Sequence, residues 1–328
     1  MKPDFNTNSF SKATLRLTAL VLVVSGMAFS SQAQNTNFNF QATLTAADQG
    51  DAKAQFEIAR CYDKGRGVTR DYTKAADYAR RSAGQGNADA EVLLGSYYGR
   101  GLGVDKDPAQ AVQWYQKAAD QGDALGEFAM GGFYASGRGV TQNVDQSLQW
   151  WQKAADQNLP EAQNALGQYY FDKASDHVSD TNDALNALKW LRKASEQGFV
   201  GSMNNLGVIY DAGIAVAPDW QEAVKWYRIA AENGNVKAQG NLGVMYLDGR
   251  GVTNDIVQAY VWFKINALQG GGVGKKYLID YDANHLLTQD QLTLADQKIR
   301  ETLSEINLHS RFPNRLQATR LMAAQPAH

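Results

Sequence analysis

Residues 90–104 read AEVLLGSYYGRGLGV and residues 111–122 read AVQWYQKAADQG. In the first stretch Ala90, Leu94 and Tyr98 fall at i, i+4 and i+8, which is one face of a helix. Gly101 ends that helix, because glycine takes the left-handed C-cap conformation without a Cβ penalty. A short G-x-G-V turn follows. The second stretch predicts another helix, carrying Ala111 and then Trp114 three residues later, and ending at the doublet Gln121-Gly122. Asn87 precedes the first helix as an N-cap residue, whose side-chain oxygen accepts orphan backbone N–H groups.

Working outward, the pattern recurs. The doublet returns at Gln49-Gly50, Gln85-Gly86, Gln121-Gly122, Gln157-Asn158, Gln197-Gly198, Asn233-Gly234 and Gln269-Gly270, at intervals of 36, 36, 36, 40, 36 and 36 residues. An aromatic ladder keeps step: Tyr78, Trp114, Trp150, Trp190, Trp226 and Trp262. So does a tyrosine ladder: Tyr62, Tyr98, Tyr134, Tyr170, Tyr210 and Tyr246. Periods of 20 to 50 residues are the signature of stacked repeats. Further N-caps are expected at Asp51, Asp123 and Asn235, and further glycine stops at Gly65, Gly137, Gly213 and Gly249.

A small residue occupies one first-helix position throughout: Ala59, Gly95, Gly131, Gly167, Gly207 and Gly243. A glycine inside a helix costs about 1 kcal/mol relative to alanine. Keeping it in five units predicts a bulky neighbour, and the aromatic ladder of the second helix is the expected one. Helices this short are marginal alone, so stability is expected from unit stacked on unit.

These residues resemble the Sel-one-like repeat family, relatives of the tetratricopeptide repeats. The family pattern runs A-x-x-x-L-G-x-x-Y-x-x-G-x-G-V, then K-A-x-x-W-Y-x-K-A-A-x-x-G, and it covers residues 46 to 270 in six units. The resemblance implies an all-α, right-handed superhelical solenoid forming one array. The fourth unit departs: DKASDHVSDTND replaces its turn and is four residues longer, which reads as a solvated loop. The fifth carries Gly213-Ile214-Ala215-Val216-Ala217 before Pro218, another variant turn. Residues 271–310 are expected to be capping helices, as a final atypical pair over Tyr277–Leu287 and Asp290–Ile306, with Thr288 as N-cap and Gln291 completing a capping box. Residues 34–45 read as a flexible leader or a short cap, and residues 311–328 as a loose tail.

Residues 1–33 read as an address. Lys2, Lys12 and Arg16 precede the apolar run Leu17–Phe29, and Ser31-Gln32-Ala33 supplies small residues before a cut after Ala33. This is the pattern of a cleavable secretory signal peptide. The run is short for a bilayer span, which takes about 20 apolar residues, and an uncleaved anchor is the alternative. Periplasmic or secreted location follows as the expectation. Across the chain's 328 residues, 32 Lys+Arg stand against 34 Asp+Glu. That balance gives no basic footprint, so no nucleic-acid partner is expected. Cleavage leaves 29 basic and 33 acidic residues, so no membrane insertion is expected afterwards. A mean hydropathy of -0.43 excludes a polytopic membrane protein.

The single cysteine, Cys61, precludes an intrachain disulfide and a cysteine zinc site. A buried, inert thiol is its expected state, and pairing between chains is the alternative. The four histidines lie far apart, in no metal-ligand spacing. Asp172, Asp176, Asp180 and Asp183 do not follow a calcium-loop spacing. No nucleophile motif or acid–base pair stands out, so neither a catalytic residue, a metal nor a cofactor is expected, and the chain reads as a non-enzyme.

The resemblance implies that first helices line a concave groove. The early units would place Phe56, Glu57, Arg60, Asp63, Val92, Leu93, Ser96 and Arg100 there. The third would place Phe128, Ala129 and Gly132, and the later ones Asn164, Gln168, Phe171, Asn204, Asn205, Asp211, Asn241 and Leu247. Asparagine is a poor residue for a helix interior. Its amide can both donate to and accept from a peptide backbone. Asn205 and Asn241 either grip a partner or bond a neighbouring unit; Phe56 and Phe128 are either apolar anchors or core. The expected function is a non-enzymatic exported scaffold binding a protein or peptide partner in this groove. Open alternatives are a periplasmic immunity-type protein sequestering a secreted effector, and a cell-wall module with peptidoglycan contact. A hydrolase would require a polar cluster that the sequence does not show.

Overall fold

The computed structural model describes residues 39–176, 181–284 and 287–311. The signal-peptide reading, residues 34–38 and the tail from 312 onward lie outside the described residues. Within them all regular structure is helical. A short α1 (Phe40–Asp48) leads. Helix pairs follow: α2 (Ala52–Lys64) with α3 (Tyr72–Ala83), α4 (Ala88–Arg100) with α5 (Pro108–Asp120), and α6 (Ala124–Ser136) with α7 (Val144–Asp156). Next come α8 (Pro160–Asp176) with α9 (Thr181–Glu196), α10 (Val200–Ala212) with α11 (Trp220–Glu232), and α12 (Val236–Asp248) with α13 (Ile256–Leu268). The last two helices are α14 (Gly272–Asn284) and α15 (Gln289–Arg311). The chain forms two compact units, one ending at Leu159 and one beginning at Pro160.

Local chemistry places the helix ends. Asp51, Asn87, Asp123 and Asn235 each accept a backbone N–H at the start of a first helix. Asp71, Asp107, Asn143, Asp219 and Asp255 do the same for second helices. Gly65, Gly101, Gly137, Gly213 and Gly249 end first helices in the left-handed conformation. Thr288 and Gln291 exchange the two bonds of a capping box, at 2.8 and 3.3 Å.

The small-residue position does meet a bulky neighbour, but it is the residue after the aromatic ladder. A Cβ on Gly95 would come within 3.1 Å of Tyr115, and one on Gly131 within 2.3 Å of Trp151. Gly207 faces Tyr227, Gly243 faces Phe263, and Gly167 faces Leu191. One residue is 100° of helix, so only one member of each adjacent pair can point at the partner helix. Ladder members Trp114 and Trp150 are half-buried instead, with Lys117 and Lys153 about 4.0 and 4.1 Å over their rings.

Two expectations change, and the expected C-terminal helix pair is present as α14 and α15. Residues 40–48 form α1, whose Phe40 and Leu44 pack beside Ile58, which is the short cap rather than the flexible leader. In the fourth repeat much of the expected loop is helix: α8 runs to Asp176 with 17 residues and α9 begins at Thr181 with 16, while residues 177–180 lie outside the described residues. At the C-terminal end, α15 packs against α13 and reaches α11, so it covers second helices. Cys61 is buried, and burial pushes its thiol pKa up, as an inert thiol requires.

The doublet glutamines do more than precede a glycine. Gln85 donates to Gln55, Gln121 to Glu91, and Gln157 to Glu127, at 2.8, 2.7 and 2.8 Å. Each ties the end of a second helix to the start of the first helix of its own repeat. Burial raises the carboxyl pKa of Glu91 and Glu127, against the opposing pull of the glutamine bond. A carboxyl with a raised folded pKa binds more protons folded than unfolded, so stability falls as pH rises from the ordinary value through the raised one. Gln already occupies this place at Gln55, Gln163 and Gln239. Glu91→Gln with Glu127→Gln is therefore expected to fold and to lose less stability between pH 4.5 and 7, read by urea unfolding. The slope should shrink without vanishing, since burial also raises Asp123 and Asp211.

Candidate functional site

In the second unit the first helices carry a row of amides. Asn205 of α10 donates to the Gln168 side-chain oxygen of α8. Asn204 donates to Asn205 at 3.3 Å, and Asn241 of α12 donates to Asn204 at 3.2 Å. Gln168 turns its own amide to Asp172 at 2.6 Å. Three consecutive repeats are thus joined by side chains the sequence had placed on one face. The row binds neighbouring repeats to each other, the fold-internal role allowed for Asn205 and Asn241. Each amide has two N–H groups and one oxygen, and the row uses one N–H of each asparagine. Asn204 is buried, while Gln168, Asn205 and Asn241 remain half-buried. Asn164, one turn before Gln168 on α8, has a buried side-chain oxygen with no hydrogen-bond partner.

The first unit differs. Phe56 is 6% and Phe128 2% exposed, so both are core and neither offers a ring as an anchor. Val92, Leu93 and Ala129 are buried as well. Phe56 sits in one core cluster with Ala79 of α3 and with Leu93 and Leu94 of α4, so its ring is filled in by its own repeat and the next. Arg60 pairs with Glu57 at 3.3 Å and lies 5.7 Å over the Phe56 ring. Arg100 is exposed at the end of α4. The structure therefore brings Gln168, Asn204, Asn205 and Asn241 into one row and leaves the first-unit residues outside it.

Sequence reading missed two cross-repeat links. Arg228 donates to the Tyr246 hydroxyl at 3.0 Å, Arg80 to Tyr98 at 3.5 Å, and Arg192 to Tyr210. The constant 18-residue offset was the available signal. Arg250 pairs with Asp211 of the preceding repeat at 2.7 Å and with Asp248 at 3.2 Å. Burial raises the Asp211 carboxyl pKa, with Arg250 opposing it.

Among the described residues, no group of three or more His, Cys, Asp or Glu is placed to hold a metal ion, and no helix is long and apolar enough to cross a membrane.

The Sel1 repeat pattern matches residues 52–87, 88–123, 124–159, 160–199, 200–235 and 236–271. Among solved structures, a protective antigen present in uropathogenic Escherichia coli strains, displaying an SLR fold, is 33% identical with a TM-score of 0.70. That match covers 87% of this chain and 63% of the antigen's chain, so this chain spans less than two thirds of that relative. A Sel1 repeat protein from Oxalobacter formigenes is 27% identical with a TM-score of 0.61, covering 70% of this chain and all of its own. The immunity protein PA5088 from Pseudomonas aeruginosa matches at 21% identity and a TM-score of 0.44, covering 72% of this chain and 87% of its own. That likeness is too slight to bear on function. No curated protein matches the sequence.

Proposed function

This chain belongs to the Sel1 repeat family, and we propose that it is an exported, non-enzymatic scaffold that holds a protein or peptide partner against the first helices of its second unit. The amide row Gln168–Asn205–Asn204–Asn241 carries this reading. Its members are locked to one another, so little side-chain freedom remains to be lost on binding. The second N–H of each asparagine, the Asn241 oxygen and the second lone pairs of the other amide oxygens match the alternating donors and acceptors of a peptide backbone. Such a surface tolerates varied partner sequence while keeping register. Export rests on the N-terminal address of residues 1–33, and peptidoglycan contact is set aside in favour of a protein partner because amide pairing suits main-chain groups.

The test is affinity capture from living cells after crosslinking, with wild type beside Asn205→Ala/Asn241→Ala. A partner held by wild type and lost by the double variant, with its helical circular dichroism intact, is the expected result. Equal capture by both would remove the row from the binding site.

A further inference from the structure

Arg138 lies in the turn between α6 and α7 with its guanidinium 5.6 Å from the Phe133 ring centroid. Its Nε and Nη2 are closed off from solvent and make no hydrogen bond. Arg138 as a whole is half-buried, but unpaired N–H groups shut off from water are costly, and proteins rarely leave them so. The repeat itself shows what this position can take. Arg138 and Arg250 are each the fifteenth residue of their repeat. Nε is unbonded in both, but Arg250 uses its two Nη atoms on carboxylates, Asp211 at 2.7 Å and Asp248 at 3.2 Å.

Neither acid has a counterpart around Arg138. The residue matching Asp211 is Gly99, and the one matching Asp248 is Ser136. The Ser136 hydroxyl is turned to the Gly132 carbonyl at 2.9 Å. A Cβ on Gly99 would meet only Ala111 and Phe133, both at an ordinary 3.7 Å. The ground from which Asp211 reaches Arg250 is thus open beside Arg138. Arg100 adjoins Gly99 in sequence, and both Arg100 and Arg138 act electrostatically on the buried Tyr115 hydroxyl. The structure records no ion pair for either cation among the described residues.

We propose that Arg138, with Arg100, receives a carboxylate from a protein or peptide bound to the first unit, in the place Asp211 fills against Arg250. The inference rests on the scaffold reading above, and not on the amide row of the second unit. The guanidinium turns off the Phe133 ring to meet the incoming group, exchanging a cation–π contact for a charge-assisted pair. An Asp or Glu side chain and a chain-terminal carboxylate share this chemistry.

The test selects a synthetic decapeptide library on the purified chain, in C-terminal amide and free-acid forms. Retained peptides sharing an Asp or Glu at one position in both forms identify a side chain. Retention of the free-acid form alone identifies a chain end. In either case Arg138→Gln should weaken the retained peptides roughly tenfold or more. Gly99→Asp should weaken them equally while raising the melting temperature, because it supplies Arg138 with a carboxylate from its own chain and replaces a helical glycine. That opposite movement of binding and stability separates the site from simple damage. Peptides retained without any carboxylate requirement, or bound equally by wild type and both variants, overturn the Arg138 site and leave the scaffold reading standing. Retention of no peptide overturns both.

Discussion

Trp151→Ala is expected to lower stability by about 3–5 kcal/mol, the usual cost of truncating a buried tryptophan. Trp150→Ala, one residue away, is expected to cost well under half as much. Trp151 is 2% exposed, lies against Gly131, and donates its indole N–H to the Phe128 carbonyl at 3.2 Å. Removing it leaves a cavity lined by two helices that cannot collapse, because Gly131 has no side chain to fill the gap. Trp150 keeps one face toward solvent and Lys153. Urea unfolding followed by circular dichroism measures both. Equal losses, or a larger loss at Trp150, would show that the second-helix register is misassigned.

Gly103→Ala is the second large effect, with an expected loss of about 3 kcal/mol or more. Two costs combine: left-handed strain of about 1–2 kcal/mol for a residue with a Cβ, and overpacking of about 1–3 kcal/mol. Gly103 has φ +66°, and its Cβ would fall 2.0 Å from the Tyr72 carbonyl oxygen at the start of α3 in the preceding repeat. Main chain cannot swing aside as a side chain can. Gly101→Ala is the control, with φ +74° but only the Lys106 Cβ close, at 3.1 Å. It should lose about 1–2 kcal/mol, the strain alone. The glycine of this turn is therefore a contact between repeats. The fifth repeat holds Ala215 at the same place with φ 68°, following the one repeat whose helices are lengthened.

These two cases mark where the sequence is legible. Caps and stops are local: Asn87 acts on a backbone three residues away, and Gly101 needs only its own φ, so both could be read directly. The repeat period is legible because three independent ladders share it. What the tyrosine–tryptophan pairs do is not local. Trp114 and Tyr115 are both aromatic and adjacent, and only the position of Gly95 on another helix decides which is buried. The doublet glutamine was legible as a helix end, but its bond to a side chain 30 residues earlier becomes visible only when the pair of helices closes. The lengthened fourth repeat looked like a loop because its polar residues suit a loop as well as a helix surface.

At the candidate site the amide row was legible in composition and partly in role. Asn204, Asn205, Asn241 and Gln168 were placed on one face by repeat position, and the structure joins them. Phe56 and Phe128 came from the same positional rule and are buried, because that rule says where a residue sits along a helix and nothing of how tightly the next helix packs. Arg138 was not legible at all. Its meaning comes from comparing one repeat with another once the Asp211–Arg250 pair is seen.

The most direct measurement is site-specific photo-crosslinking of the chain in living cells, with a benzophenone amino acid placed at Asn241 or, separately, at Gln221 on the exposed side of α11. A partner protein crosslinked from Asn241 and absent from Gln221 is the result expected of a scaffold that binds along its first helices. A partner crosslinked from Gln221 and absent from Asn241 would contradict it.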